Sequence, residues 1–256
     1  MQKELLSLVG GLLSNAVTGK NGEAQGNIES RTVHVESANF DYQVYVSSQI
    51  QSERKLPLIV FLHGIGQRGS GGFVPTTGAG GAFVRHYFGQ VPAVILMPQC
   101  RLGSYWSDPI MEQMVMREIA ETVEEFGADE QRIYLTGVSM GGYGVWHLAS
   151  RHAGKFAALV SICGGSSITK GDRFSPLGEK IGKTPAWLFH GADDKIVPVT
   201  ESRQIVEAIK AHQGNVKYNE YPGVGHNVWM NALAEKDLMS WLLAQKLYLF
   251  SQRRKF

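Results

Sequence analysis

Five short, largely apolar runs punctuate the chain, at Leu58–Leu62, Ala93–Met97, Ile133–Thr136, Ala157–Ile162 and Ala186–Phe189. Each is too short for a helix and lacks the apolar–polar alternation of a half-exposed strand, so each predicts a strand buried on both faces. Upstream, Thr32–Glu36 and Tyr42–Ser47 do alternate, which predicts an antiparallel hairpin at a sheet edge. Val216–Tyr221 reads as a last strand. Between the runs the period lengthens. Pro109–Phe126 carries Met111, Met114, Val115, Glu118, Ile119 and Val123 at helical spacing and stops at Gly127, and Gly142–Ser150, Glu201–His212 and Asn231–Leu249 read as further helices. Strands alternating with helices behind an antiparallel start predict an α/β fold: a mostly parallel sheet, an antiparallel edge hairpin, and helices on both faces. In such sheets, ligand sites gather at the carboxyl ends of the strands.

The first residues follow another pattern. Leu5, Leu6, Leu8, Val9, Leu12 and Leu13 fall on one helical stripe, and Gly19 to Asn27 reads as a linker, dividing the chain into residues 1–29 and a domain at 30–256. The stripe also resembles a short signal segment ending at Ser14-Asn15-Ala16. Glu4 and the Gly10-Gly11 break weigh toward a retained packing or dimerisation helix; the dimerisation alternative implies a homodimer, and retention favours a cytoplasmic over a secreted or periplasmic chain.

Composition narrows the classes. A chain of 256 residues with 43% hydrophobic and 19% charged residues suits one globular core. A net charge of +2 makes no case for nucleic acid as a partner. No apolar run reaches the roughly 20 residues that cross a bilayer. Cys100 and Cys163 sit at or near the ends of predicted buried strands and are expected to be free thiols.

The chemistry concentrates at strand ends. Gly137-Val138-Ser139-Met140-Gly141 directly follows a predicted strand and precedes a helix, the context of a nucleophile elbow. Such a turn strains the serine backbone and aims the Met140 N–H at developing negative charge. A serine hydroxyl is a weak nucleophile until a base takes its proton. Of the eight histidines, His226 alone follows the last strand, in the glycine-rich loop Pro222-Gly223-Val224-Gly225-His226. The carboxylate that would orient it falls after Ala186–Phe189, at Asp193 or Asp194. His63-Gly64-Ile65-Gly66 follows the first parallel strand, where the Ile65 N–H is placed as a second oxyanion donor. His63 and His190 are expected to bond their own loops, and His147 and His152 to sit at helix surfaces or ends.

Two other signals fail. Gly64-x-Gly66-x-x-Gly69 matches a dinucleotide fingerprint, but no Asp or Glu lies between Glu53 and Asp108 to hold a ribose. No lysine follows the glycines in the register of a phosphate loop, and no His-Glu-x-x-His or Cys/His cluster occurs, so neither a cofactor nor a metal is implied.

From about Arg31 onward the chain resembles the α/β-hydrolase superfamily, and within it bacterial carboxylesterases, polyhydroxybutyrate-depolymerase-like and feruloyl-esterase-like proteins. The stretches that carry the resemblance are Leu58–Gly66, Arg132–Trp146, Phe189–Pro198 and Tyr221–His226. The resemblance implies a Ser139, Asp194, His226 triad, because the acid of that group closes a His-Gly-x-x-Asp pattern. It also implies oxyanion donors at Ile65 and Met140. Pro98-Gln99-Cys100 and Trp106 match further features of the group, with Trp106 either walling the substrate pocket or simply packing. The segment from Gly164 to Thr184, between two core strands, has only 21 residues, too few for a large helical cap. An open cleft and a small-molecule ester with a short acyl or aromatic group are therefore expected. A peptidase or thioesterase would use the same triad, and a binding protein would have kept only the fold. Arg54, Lys55, Arg68, Arg85 and Arg101 occupy the stretch without acids, as a scattered surface or as a cationic ring at the cleft.

Overall fold

The computed structural model describes residues 16–18, 24–48, 55–71, 91–168 and 171–247. The helix expected from the leucine stripe near the N-terminus lies outside them, as do Arg54 and Arg85. Among the described residues nine strands form one sheet, in the order β1-β2-β3-β5-β4-β6-β7-β8-β9. They are β1 (Ala16–Thr18), β2 (Ala24–Val35), β3 (Ala38–Ser47), β4 (Leu58–Leu62), β5 (Val94–Met97), β6 (Ile133–Val138), β7 (Ala158–Ile162), β8 (Ala186–Gly191) and β9 (Val216–Tyr221). Pairing is antiparallel from β1 through β3 to β5 and parallel from β5 to β9.

Both faces of the parallel strands are covered, which is why those runs lack polar alternation. Leu58, Val60, Leu62, Ile133 and Leu135 pack on one side. Their cover is α1 (Pro109–Phe126), α2 (Met140–Arg151), α3 (Ser175–Ile181) and α4 (Thr200–Ala211). Ile59, Phe61, Tyr134 and Val160 pack on the other, against α5 (Trp229–Leu233) and α6 (Leu238–Ala244).

The antiparallel part is longer than the alternation predicts. Strand β2 begins at Ala24, inside the stretch that reads as linker, and β1 pairs outside it, so the hairpin is not the outermost layer. Cross-strand pairing supplies the order that Gly26 and Asn27 lack as local strand formers. The two-residue turn between Val35 and Ala38 holds Glu36 at φ 54, the positive dihedral a tight hairpin needs.

The expected C-terminal helix is two short ones. The Ala234 N–H closes α5 on the carbonyls of Met230 and Asn231, and the Glu235 carboxylate accepts a bond from Asn219 Nδ2 on β9. That tertiary bond leaves no trace in periodicity. Helix α3 escapes the sequence reading because it is only seven residues long. Asp172 turns the chain into it, accepting the N–H groups of Phe174 and Ser175 just ahead of and at its first residue.

On α1, Glu118 is wholly buried and neither carboxyl oxygen has a hydrogen-bond partner among the described residues. Burial, with Glu121 adding like charge, pushes its carboxyl well above the ordinary range. The folded protein therefore keeps this proton while the unfolded chain loses it, so rising pH favours unfolding. Glu118→Gln is expected to gain stability over the parent as pH rises, by about 1.4 kcal/mol per unit until the folded carboxyl itself ionises. Thermal melts at pH 5 and pH 8 check this. An equal difference at both would mean that the folded carboxyl is already charged.

Candidate active site

Strand β6 runs directly into α2 through Ser139, whose backbone sits at φ 55, ψ −117. Steric exclusion makes this region costly for any residue with a Cβ, and the surrounding packing must hold it. The Ser139 N–H donates to the Ile162 carbonyl, and its own carbonyl accepts from the Tyr143 N–H. The flanking glycines are required. A Cβ on Gly137 would strike the Gly141 backbone, and one on Gly141 would strike the Leu62 carbonyl. Met140, the first residue of α2, has an N–H with no carbonyl one turn earlier to bond.

The loops after β8 and β9 are tied to each other. Ala192 N–H donates to Tyr221 and Asp193 N–H to Val224, while Gly191 lets the Val224 and Gly225 carbonyls approach closely. Within this pair of loops the two adjacent aspartates part company: Asp193 is exposed and Asp194 is buried. Asp194 Oδ1 accepts the N–H groups of Ile196 and Val197 at 2.8 and 2.9 Å, which turns Oδ2 toward His226. His226 Nδ1 lies 2.7 Å from that oxygen, and its Nε2 lies 2.8 Å from Ser139 Oγ. Burial alone would raise the Asp194 carboxyl. The bonds from His226 and the two backbone N–H groups outweigh it and hold the group below the usual carboxylate range. An ionised Asp194 only accepts, so Nδ1 carries the imidazole proton and Nε2 is free to accept from Ser139.

The structure thus brings together Ser139, Asp194 and His226, residues far apart in sequence. It also brings in the loop carrying Ile65: a Cβ on Gly64 would stand 3.7 Å from the Ser139 Cβ. His63 is buried and braces this loop as expected. Its Nδ1–H donates to the Gly64 carbonyl at 2.7 Å, and its Nε2 accepts the Cys100 N–H at 3.1 Å. Burial depresses the imidazole to about 4, which keeps Nε2 an acceptor at neutral pH. Trp106 packs as one of the two expectations has it, and it also borders the cavity above Ser139. It is 1% exposed and donates Nε1–H to the His63 carbonyl at 3.0 Å. His190 likewise bonds its own loop, through Val197 O, and also meets Ser202 Oγ on α4; it lies 3.4 Å from Asp194. His147 and His152 do more than cover a helix surface: both bond the Glu112 carboxylate across from α1.

The cavity measures about 420 Å³ and opens to solvent. Ile65, Trp106, Met140 and Val197 give it apolar walls, while Tyr143, Ser167 and Arg173 supply polar groups. Arg173 is anchored bidentately by Glu201 at 2.8 and 3.0 Å and also bonds the Ser166 and Ile168 carbonyls, so it holds the wall. Sequence reading missed this latch because its partners share no motif. Tyr143 had a signal, lying one helical turn beyond Ser139. Of the cations suspected of ringing the cleft, Arg68 bonds the carbonyls of Ile65 and Ser104, and Arg101 stacks on Phe40.

A family model for phospholipase/carboxylesterase matches residues 106–238, just over half the chain and including Ser139, Asp194 and His226. The chain belongs to the phospholipase/carboxylesterase family of α/β-hydrolases. Within the family, it is 25% identical over 178 residues to carboxylesterase SOBER1 of Arabidopsis thaliana, covering 66% of this chain and 72% of that one. It is 26% identical over 137 residues to acyl-protein thioesterase 1 of Gibberella zeae, covering 53% and 56% respectively. A crystal structure of a thermostable esterase superposes with a TM-score of 0.77 at 32% identity, over 86% of this chain and 63% of the other. The chain therefore spans less than two thirds of both the thioesterase and the thermostable esterase. As a hydrolase family member of the esterase type, it has among its described residues no helix long and apolar enough to cross a membrane.

Proposed function

We propose that this protein is a serine-dependent carboxylic ester hydrolase working through an acyl-enzyme, with Ser139 as nucleophile, His226 as base and Asp194 as the acid that orients it. The observation that carries the reading is the bridging position of His226, in hydrogen-bond reach of both Ser139 Oγ and Asp194 Oδ2. Ser139 Oγ attacks the ester carbonyl as its proton passes to His226 Nε2, and Asp194 stabilises the imidazolium without taking the proton. The N–H groups of Ile65 and Met140 stabilise the tetrahedral oxyanion, each worth about 10²–10³ in rate. The imidazolium then protonates the leaving alcohol, and water activated by the same imidazole releases the acid.

The size and openness of the cavity and its aromatic wall at Trp106 favour short acyl or aromatic esters. Turnover of the palmitate ester is expected not to exceed that of p-nitrophenyl butyrate, since methylenes beyond the cavity bury little further surface and so add no binding energy. A preference for palmitate would overturn the substrate assignment but leave the mechanism.

Similarity to an acyl-protein thioesterase favours one second reading, thioester hydrolysis by the same groups. A fluorophosphonate probe tests the nucleophile, and paired butyryl oxygen-ester and thioester substrates of one leaving-group size separate the readings. Unlabelled, folded protein would sink both.

A further inference from the structure

Beneath the candidate triad lies a thiol that ester hydrolysis does not use. Cys163 follows β7 at φ 42, is fully buried, and directs its S–H at the His226 carbonyl at 3.6 Å. Its sulfur, a carboxylate oxygen of Asp194 and a ring nitrogen of His226 all lie within 4.8 Å of one another. The geometry points to an inhibitory site for a soft divalent cation, Zn²⁺ or Cd²⁺, ligated by Cys163 Sγ, Asp194 Oδ2 and His226 Nδ1.

Three features carry this. The donor set combines thiolate, imidazole and carboxylate, which selects zinc-like ions over Mg²⁺ and Ca²⁺. Charge closes as well: a thiolate and a carboxylate neutralise a divalent ion, so its burial leaves no net charge in the protein interior. Contraction onto one ion asks for small shifts only, because metal–ligand bonds of about 2.0–2.3 Å place neighbouring ligands roughly 3.4–3.7 Å apart. The Asp194–His226 pair, at 2.7 Å, would open slightly, and the sulfur would move in.

Proton balance predicts the consequence. On binding, the Cys163 thiol releases one proton to solvent. The metal takes the Nδ1 lone pair, and the imidazole proton relocates to Nε2, so the ring stays neutral. Nε2 then donates where it formerly accepted and has no lone pair left for the Ser139 proton. Inhibition in this form rests on the acyl-enzyme reading, whereas binding does not.

The test uses Cd²⁺ as probe and follows the ultraviolet charge-transfer band of a cadmium thiolate. A one-to-one band is expected in the parent, in Ser139→Ala and in Cys100→Ala, with no band from Mg²⁺ or Ca²⁺. Cys163→Ala, checked for folding by its thermal melt, is expected to lose the band and to hydrolyse ester at the parent rate. Its Cd²⁺ inhibition constant is expected to rise more than about tenfold, the loss that removing even an outer-shell partner brings. In the parent, a chelator is expected to restore activity. No band in the parent, or a band surviving in Cys163→Ala, would overturn the site. Absence of any ester turnover would instead fall on the proposed function, since the band is read without substrate.

Discussion

Ser139→Ala is expected to lower ester turnover by about 10⁴–10⁶, a loss that no other single change should exceed, because members of a catalytic triad act as a unit. Alanine has the same Cβ as serine and should sit at φ 55 with no added strain, so the fold and melting temperature are expected to hold. His226 Nε2 would lose its proton donor at 2.8 Å, while the Ile65 and Met140 N–H groups would still bind the carbonyl. Residual catalysis over water of about 10³–10⁴ should therefore remain. Turnover of p-nitrophenyl butyrate and loss of fluorophosphonate labelling are the measurements. Retention of a tenth of parental turnover would assign the nucleophile elsewhere.

The second prediction concerns the two neighbouring aspartates. Asp194→Asn is expected to reduce kcat by about 10⁴. Its Oδ1 can still accept from Ile196 and Val197, so the loop should keep its shape. The amide nitrogen would then face His226 Nδ1 and donate to it, forcing the ring proton to Nε2, where it meets the Ser139 hydroxyl. Geometry would survive and the base would be lost. Asp193→Asn, at an exposed carboxylate on the same turn, is expected to change kcat by less than about threefold. The opposite ranking would move the acid to Asp193. The depressed Asp194 carboxyl adds a sign. Its bonds contribute stability above the ordinary aspartate range, and that contribution disappears as pH falls through the lower folded value.

The elements that were legible in the chain are those with a short-range cause. The run Leu58–Leu62 reads as a strand because both of its faces are covered, and Val216–Tyr221 was placed to the residue. Gly137 to Gly141 announce a strained turn because a Cβ at either glycine collides with backbone a few residues away or on the adjoining strand. Where a short-range rule was lacking, boundaries slipped. The start of β2 is hidden from local rules because Ala24 to Asn27 become strand only by pairing with β3 and β1. The split of the last helix into α5 and α6 has no periodic signal, and the bond that Glu235 accepts between them comes from Asn219 on another element.

Local order therefore put Ser139, His226 and a pair of aspartates on loops at one end of a parallel sheet, through periodicity, strand–helix alternation and the sterics of glycine. Neither Asp194 in preference to Asp193, nor the Arg173–Glu201 latch, nor the thiol of Cys163 beside His226 could be had from such rules without a family resemblance. Each depends on which strands become neighbours and how two loops dock, distances set by packing between residues dozens of positions apart. Chain order carries no ruler for those distances; the close packing of the sheet and its loops supplies it.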